Sequence, residues 1–165
     1  MEILMNFLPP LRKHLNTTLK TAIAAITLAG MTGTAMANDT QLQFSVESNA
    51  TRSISSAATA FERGDYAKSV SFSKYALKQG LKKSRKTAAL SNLCAALGVQ
   101  AQYDDAMEAC NKALELKPDN WRALSNRAVL HSLTGNEEQA RTDMQAAIVL
   151  AADEPKLAQN QKILG

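Results

Sequence analysis

The four residues Ala89-Leu90-Ser91-Asn92 return as Ala123-Leu124-Ser125-Asn126, 34 residues further on. A period of this size marks a chain built by stacking copies of one supersecondary unit. Writing residues 87–120 above 121–154 also sets Ala106 on Ala140, Ala113 on Ala147 and Leu116 on Leu150, while Leu114 meets Ile148. Each half holds two helical stretches. In the first half Leu90, Leu93, Cys94 and Leu97 recur at helical spacing and form one apolar stripe. Gln100 to Gln102 interrupt it. Ala106, Met107, Cys110, Ala113 and Leu114 form a second stripe, which Pro118 ends. Two helices with a short connection make an antiparallel hairpin.

A thinner copy lies upstream at residues 50–83. Its first helix carries Ile54, Ala57, Ala58 and Phe61, and Gly64-Asp65-Tyr66 marks its turn. Tyr66 and Ala76 precede Tyr103 and Ala113 by 37 residues, and the excess of three predicts an insertion at Ser84-Arg85-Lys86. A single hairpin cannot bury its apolar face alone, so neighbours must stack and share a core. Ala106, Ala113, Ala140 and Ala147 are small because helix backbones approach closely there. Asp153, Glu154 and Pro155 open a further helix whose Leu157, Gln161 and Leu164 give a half-polar capping face.

This 34-residue unit resembles the tetratricopeptide repeat. Residues 87–120 carry the pattern at Leu90, Leu93, Leu97, Ala106, Ala113 and Pro118, and residues 121–154 at Leu124, Ala128, Gly135, Ala140, Met144 and Ala147. Arg127, His131 and Ala152 depart from it, as do Ser53 and Ser56 in the first copy. The resemblance implies an all-α fold, a right-handed superhelical stack of about three hairpins (50–83, 87–120, 121–154) with a capping helix at 155–165. It also implies protein binding along the concave face lined by the first helix of each hairpin. On this chain that face includes Ser91, Asn92, Arg122, Ser125, Asn126 and Val129. Some relatives clamp a peptide carboxylate there. Asn92 and Arg122 suit such a clamp, but Ile54, Ala58 and Asn126 leave it incomplete, so a carboxylate-terminus receptor is not expected.

The first 37 residues read as a leader. Arg12, Lys13 and Lys20 precede an uncharged run ending in Ala35-Met36-Ala37, whose small residues suit cleavage between Ala37 and Asn38. The competing reading is a retained anchor, which needs about 20 predominantly apolar residues. This run is shorter and broken by Thr21, Thr27, Gly30, Thr32, Gly33 and Thr34. Translation from Met5 would shorten the lead-in and remove Glu2. Export to a periplasm is therefore expected, with no membrane span after processing. Residues 38–49 show no helical period and are expected to be a flexible lead-in to the repeats.

Losing three basic residues and one acid takes the net charge from +4 to +2, too mild for nucleic-acid binding. No metal-ligand spacing, glycine-rich phosphate loop or nucleophile pattern occurs. His131 reads as a partly buried helical residue, and neither a cofactor nor enzyme activity is expected. Asp104-Asp105 and Glu137-Glu138 sit where helices begin, which suits the positive pole. Cys94 and Cys110 lie eight residues either side of the hairpin turn, at the same height on inward stripes. A bridge between them is geometrically reasonable in an oxidising compartment, and simple space-filling is the alternative. Lys78, Lys82, Lys83, Arg85 and Lys86 form a basic run, read either as a solvated helix end or as a docking patch for an acidic partner. The whole points to a non-catalytic adaptor for a protein or peptide partner in the cell envelope. A structural subunit of an oligomer is the alternative.

Overall fold

A computed structural model describes residues 41–48 and 50–165. The expected leader and its expected cleavage pair, Ala37 and Asn38, lie outside the described residues. Those described form seven helices and no strand. They are α1 (Arg52–Glu62), α2 (Tyr66–Leu77), α3 (Lys83–Val99), α4 (Tyr103–Leu116), α5 (Trp121–Leu133), α6 (Glu137–Leu150) and α7 (Pro155–Leu164). Helices α1/α2, α3/α4 and α5/α6 pair as hairpins, and α7 covers the end of the stack. The first helices also touch in series, α1 with α3, α3 with α5 and α5 with α7. Helix α7 therefore stands in the place of the first helix of a fourth unit.

Local signals account for the boundaries. Thr51, Asp65 and Asn120 accept hydrogen bonds from the amides of Ile54, Lys68 and Ala123, capping α1, α2 and α5. Pro155 opens α7, where its missing N–H costs nothing. The hairpin turns place Gly64, Ala101 and Gly135 at φ 77°, 58° and 79°, the left-handed region. The stripes point inward as the periodicity demands. Ile54, Ala57, Ala58 and Phe61 are buried on α1, and Ala106, Ala113, Ala140 and Ala147 have no exposed surface. An added methylene at these contacts would cost about 1–3 kcal/mol.

The three extra residues at Ser84-Arg85-Lys86 are not a loop. They lie in the first turn of α3, which runs to 17 residues against 13 for α5. This changes the reading of the basic run. Lys78 does cap the C-terminal, negative pole of α2. Lys82 is the N-cap of α3, however, and Lys83, Arg85 and Lys86 follow it at the positive pole, with no acid in that turn. Cations there oppose the helix dipole; all five residues are exposed at helix ends, but only Lys78 stands at a negative pole.

Residues 41–48 depart further from expectation. They are not a flexible lead-in but an extended segment laid along the first helices. Phe44 and Ser45 are buried, at 7% and 1% exposure.

Candidate functional site: an asparagine-lined groove

The first helices present one asparagine per unit, Asn92 on α3, Asn126 on α5 and Asn160 on α7, at intervals of 34 residues. All three are fully buried, and all three hold the main chain of residues 41–48. Asn160 Oδ1 accepts from the Gln43 amide at 2.7 Å, and its Nδ2 donates to the Gln43 carbonyl at 2.8 Å. Asn126 does the same for Ser45, at 2.7 and 2.9 Å. Asn92 does so for Glu47, at 2.6 and 2.9 Å. In the first unit, 37 residues before Asn92, the Ser55 hydroxyl donates to the Ser48 carbonyl.

The pairing follows from geometry. An extended residue presents its own N–H and C=O on one edge, and alternate residues share that edge. A carboxamide carries one acceptor and two donors, so it closes a two-bond ring with such a residue as a neighbouring strand would. Side chains alternate too. Leu42, Phe44 and Val46 pack against the core formed by Leu97, Val129, Leu130 and their neighbours. Phe44 enters a pocket that exists because residue 98 is glycine. A Cβ at Gly98 would stand 2.5 Å from Phe44 Cζ and 3.1 Å from Leu130 Cδ2.

The remaining face is read by charge and amide. Arg122 Nη1 meets Glu47 Oε2 at 2.8 Å, with both side chains about one quarter exposed, while its Nε donates to the Val46 carbonyl at 3.2 Å. The Trp121 ring centroid lies 4.2 Å from the Arg122 guanidinium, which fixes its plane. At the other end Gln43 Nε2 donates to Gln159 Oε1 at 2.9 Å. The segment runs from α7 towards α1, opposite to the order of the units.

Magnitudes put this seating near balance. Six asparagine hydrogen bonds contribute about 0.5–1.5 kcal/mol each. Phe44, Leu42 and Val46 add up to about 1.5–3 kcal/mol each. Against them stands about 1–2 kcal/mol of backbone ordering for each of the eight residues. These terms nearly cancel, and the contacts of Arg122 and Gln159 with the segment tip the sum towards the seated state.

Of the six expected groove residues, three bond to the segment and three lie buried behind them. Asn92, Asn126 and Arg122 contact the resident segment directly. Ser91 lies beneath it, its carbonyl accepting from Asn126 Nδ2 at 3.2 Å. Ser125 and Val129 are fully buried among the first helices. Asn160, Gly98, Ser55 and the segment itself are additions. Asn160 was signalled by the 34-residue interval, and the segment by the strict alternation in Gln41-Leu42-Gln43-Phe44-Ser45-Val46-Glu47. Lys78, Lys82, Lys83, Arg85 and Lys86 are exposed and stand apart from these contacts.

Cys94 and Cys110 are bonded, joining α3 to α4 with their Cα atoms 5.3 Å apart. Arg127, a departure from the repeat pattern, has its own partner. Its Nε and Nη2 donate to the two oxygens of Asp143 on α6 at 2.6 and 2.8 Å, and its Nη1 to Asn111 on α4. His131 Nε2 lies 3.9 Å from the same carboxylate. Burial pushes the His131 pKa below its ordinary value, against the attraction of Asp143 and with the repulsion of Arg127. This cluster ties the third hairpin to the second. Among the described residues no group of His, Cys, Asp or Glu is placed to hold a metal ion, and no helix is long and apolar enough to cross a membrane.

Comparison with known proteins agrees with this architecture. Two tetratricopeptide-repeat family models match, over residues 87–120 and 109–142. Among solved structures the chain is similar to the TPR domain of Arabidopsis OM64, at a TM-score of 0.57 and 22% identity. That match covers 67% of this chain and 88% of the plant domain, and at this identity the likeness is one of fold. No curated protein matches the sequence. The chain carries tetratricopeptide repeats in an all-α stack closed by a capping helix, an architecture that generally serves protein–protein interaction.

Proposed function

We propose that the protein is an exported, non-catalytic adaptor of the cell envelope, periplasmic where there are two membranes, that binds an extended segment of a partner protein along its first helices. The observation that carries this reading is the ladder of Asn92, Asn126 and Asn160, which holds a peptide main chain at alternate residues. Such contacts use groups that every polypeptide has, so the groove suits a peptide rather than a small metabolite. The Cys94–Cys110 bond is in keeping with an oxidising compartment, as is the leader ending in Ala35-Met36-Ala37. A second reading, a structural subunit of an oligomeric complex, draws on the same segment, because a filled groove makes a more rigid stack.

Affinity capture from an envelope extract, compared across variants, separates these. Ser45→Pro removes an amide that Asn126 accepts and leaves the groove walls untouched. It should raise capture, and adding Asn92→Ala and Asn126→Ala should abolish that gain. Neutralising Lys82, Lys83 and Lys86 should change chiefly the salt dependence. Capture that follows the lysines and ignores the asparagines would refute groove binding.

A further inference from the structure

We infer that residues 41–48 are a resident copy of the ligand, and that the partner which displaces them presents an extended segment of matching chemistry. It bears apolar side chains at alternate positions, an aromatic ring opposite Gly98, and an acid three residues later opposite Arg122. This deepens the groove-binding reading above and rests on it.

Three observations define the occupant. The asparagines impose an extended chain, because they pair with both the N–H and the C=O of alternate residues. Its direction from α7 to α1 is set because Asn126 and Asn92 Nδ2 also donate to the Ser91 and Ile54 carbonyls, which fixes which way those carboxamides face. Gly98 opens a pocket that a ring fills and that a single added methyl would close. Arg122, held against Trp121, meets a carboxylate on the residue three beyond the ring. No groove contact requires that the bound chain be covalently joined to α1. Because large terms oppose one another in its seating, the segment is held modestly and is a ligand that can leave.

Tethering explains why it normally stays. The segment enters α1 within a few residues, and a short tether gives an effective concentration on the order of millimolar. A free peptide of equal intrinsic affinity competes only for the fraction of molecules whose groove is open, and its apparent affinity falls by that fraction. A partner succeeds by fitting the ring pocket and the arginine better, or by being held nearby itself.

The test uses a fluorescent synthetic peptide with the sequence of residues 41–48, titrated against the processed protein and its Ser45→Pro variant. The variant should bind it at least tenfold more tightly than the wild type. Replacing the peptide's phenylalanine by alanine should cost tenfold or more, and replacing its glutamate by glutamine should weaken binding only in protein that retains Arg122. The double variant Ser45→Pro/Gly98→Ala, whose pocket is closed, should not bind. Equal binding to wild type and Ser45→Pro, or tight binding to the double variant, overturns the inference. Phe44→Ala provides a second way to free the groove. If both it and Ser45→Pro lose the helical circular-dichroism signal, the segment is a fixed part of the core and the inference is wrong. A dimer of the wild type in light scattering, formed by exchange of these segments, would assign the groove to a second copy instead. Peptide binding without any envelope partner would leave this inference standing and remove the adaptor reading; a groove-dependent partner with no peptide binding would do the reverse.

Discussion

Ala101 occupies the turn of the second hairpin where the other two hairpins have Gly64 and Gly135, and its φ of 58° lies in the same left-handed region. A side chain there brings Cβ against the following carbonyl oxygen, at about 1–2 kcal/mol. Glycine avoids that clash but loses more backbone freedom on folding. Ala101→Gly should therefore stabilise the fold by about 0.5–1 kcal/mol, read as a rise in the urea midpoint at constant slope. A fall would mean that the turn is not held in this conformation. Gly98 shows the opposite logic: its backbone is helical, and it is glycine for space, because Phe44 fills the volume beside it. Nothing in the local sequence distinguishes these two reasons. Repeat alignment marks the turn at residue 101, whereas the Gly98–Phe44 approach joins residues far apart in the chain and has no sequence signature.

At the scale of elements, the helices were legible because a 34-residue interval repeats both the apolar stripes and the small residues between them. The same interval carries Asn92 through Asn126 to Asn160, so the third rung could be read once α7 is taken as the first helix of another unit. Its stripe of Leu157 and Leu164 draws attention to capping instead, and hides the asparagine between them. Residues 41–47 lack a 3.6-residue period, which led to the expectation of flexibility. Their period is two, and a period-two stretch needs a partner edge, here supplied by side chains rather than by a strand. The basic run was legible only in part. Its charges suggest a helix end but do not say which one, and the extra turn of α3 puts most of them at the positive pole. Between α3 and α4 the Cys94–Cys110 bond closes a loop with a sequence separation of 16 residues, which contributes about 3 kcal/mol by restricting the unfolded chain. Reduction should lower the unfolding free energy by about that amount, and a Cys94→Ala/Cys110→Ala variant should no longer respond to reductant. Identical urea midpoints with and without reductant would show that the two cysteines only fill space.

At the scale of the molecule, a stack of hairpins has a continuous concave surface, and this chain covers its own with residues 41–48. These residues are held by their main chain, every second residue gripped by an asparagine from a different unit. Amide hydrogen exchange followed by NMR tests this most directly, residue by residue. The amides of Gln43, Ser45 and Glu47 donate to Asn160, Asn126 and Asn92, and should exchange at least tenfold more slowly than those of Leu42, Phe44 and Val46. Asn126→Ala should release Ser45 first, while α3 and α5 keep their protection. Uniformly fast exchange across residues 42–47 in the wild-type protein, with the helices protected, would contradict the claim.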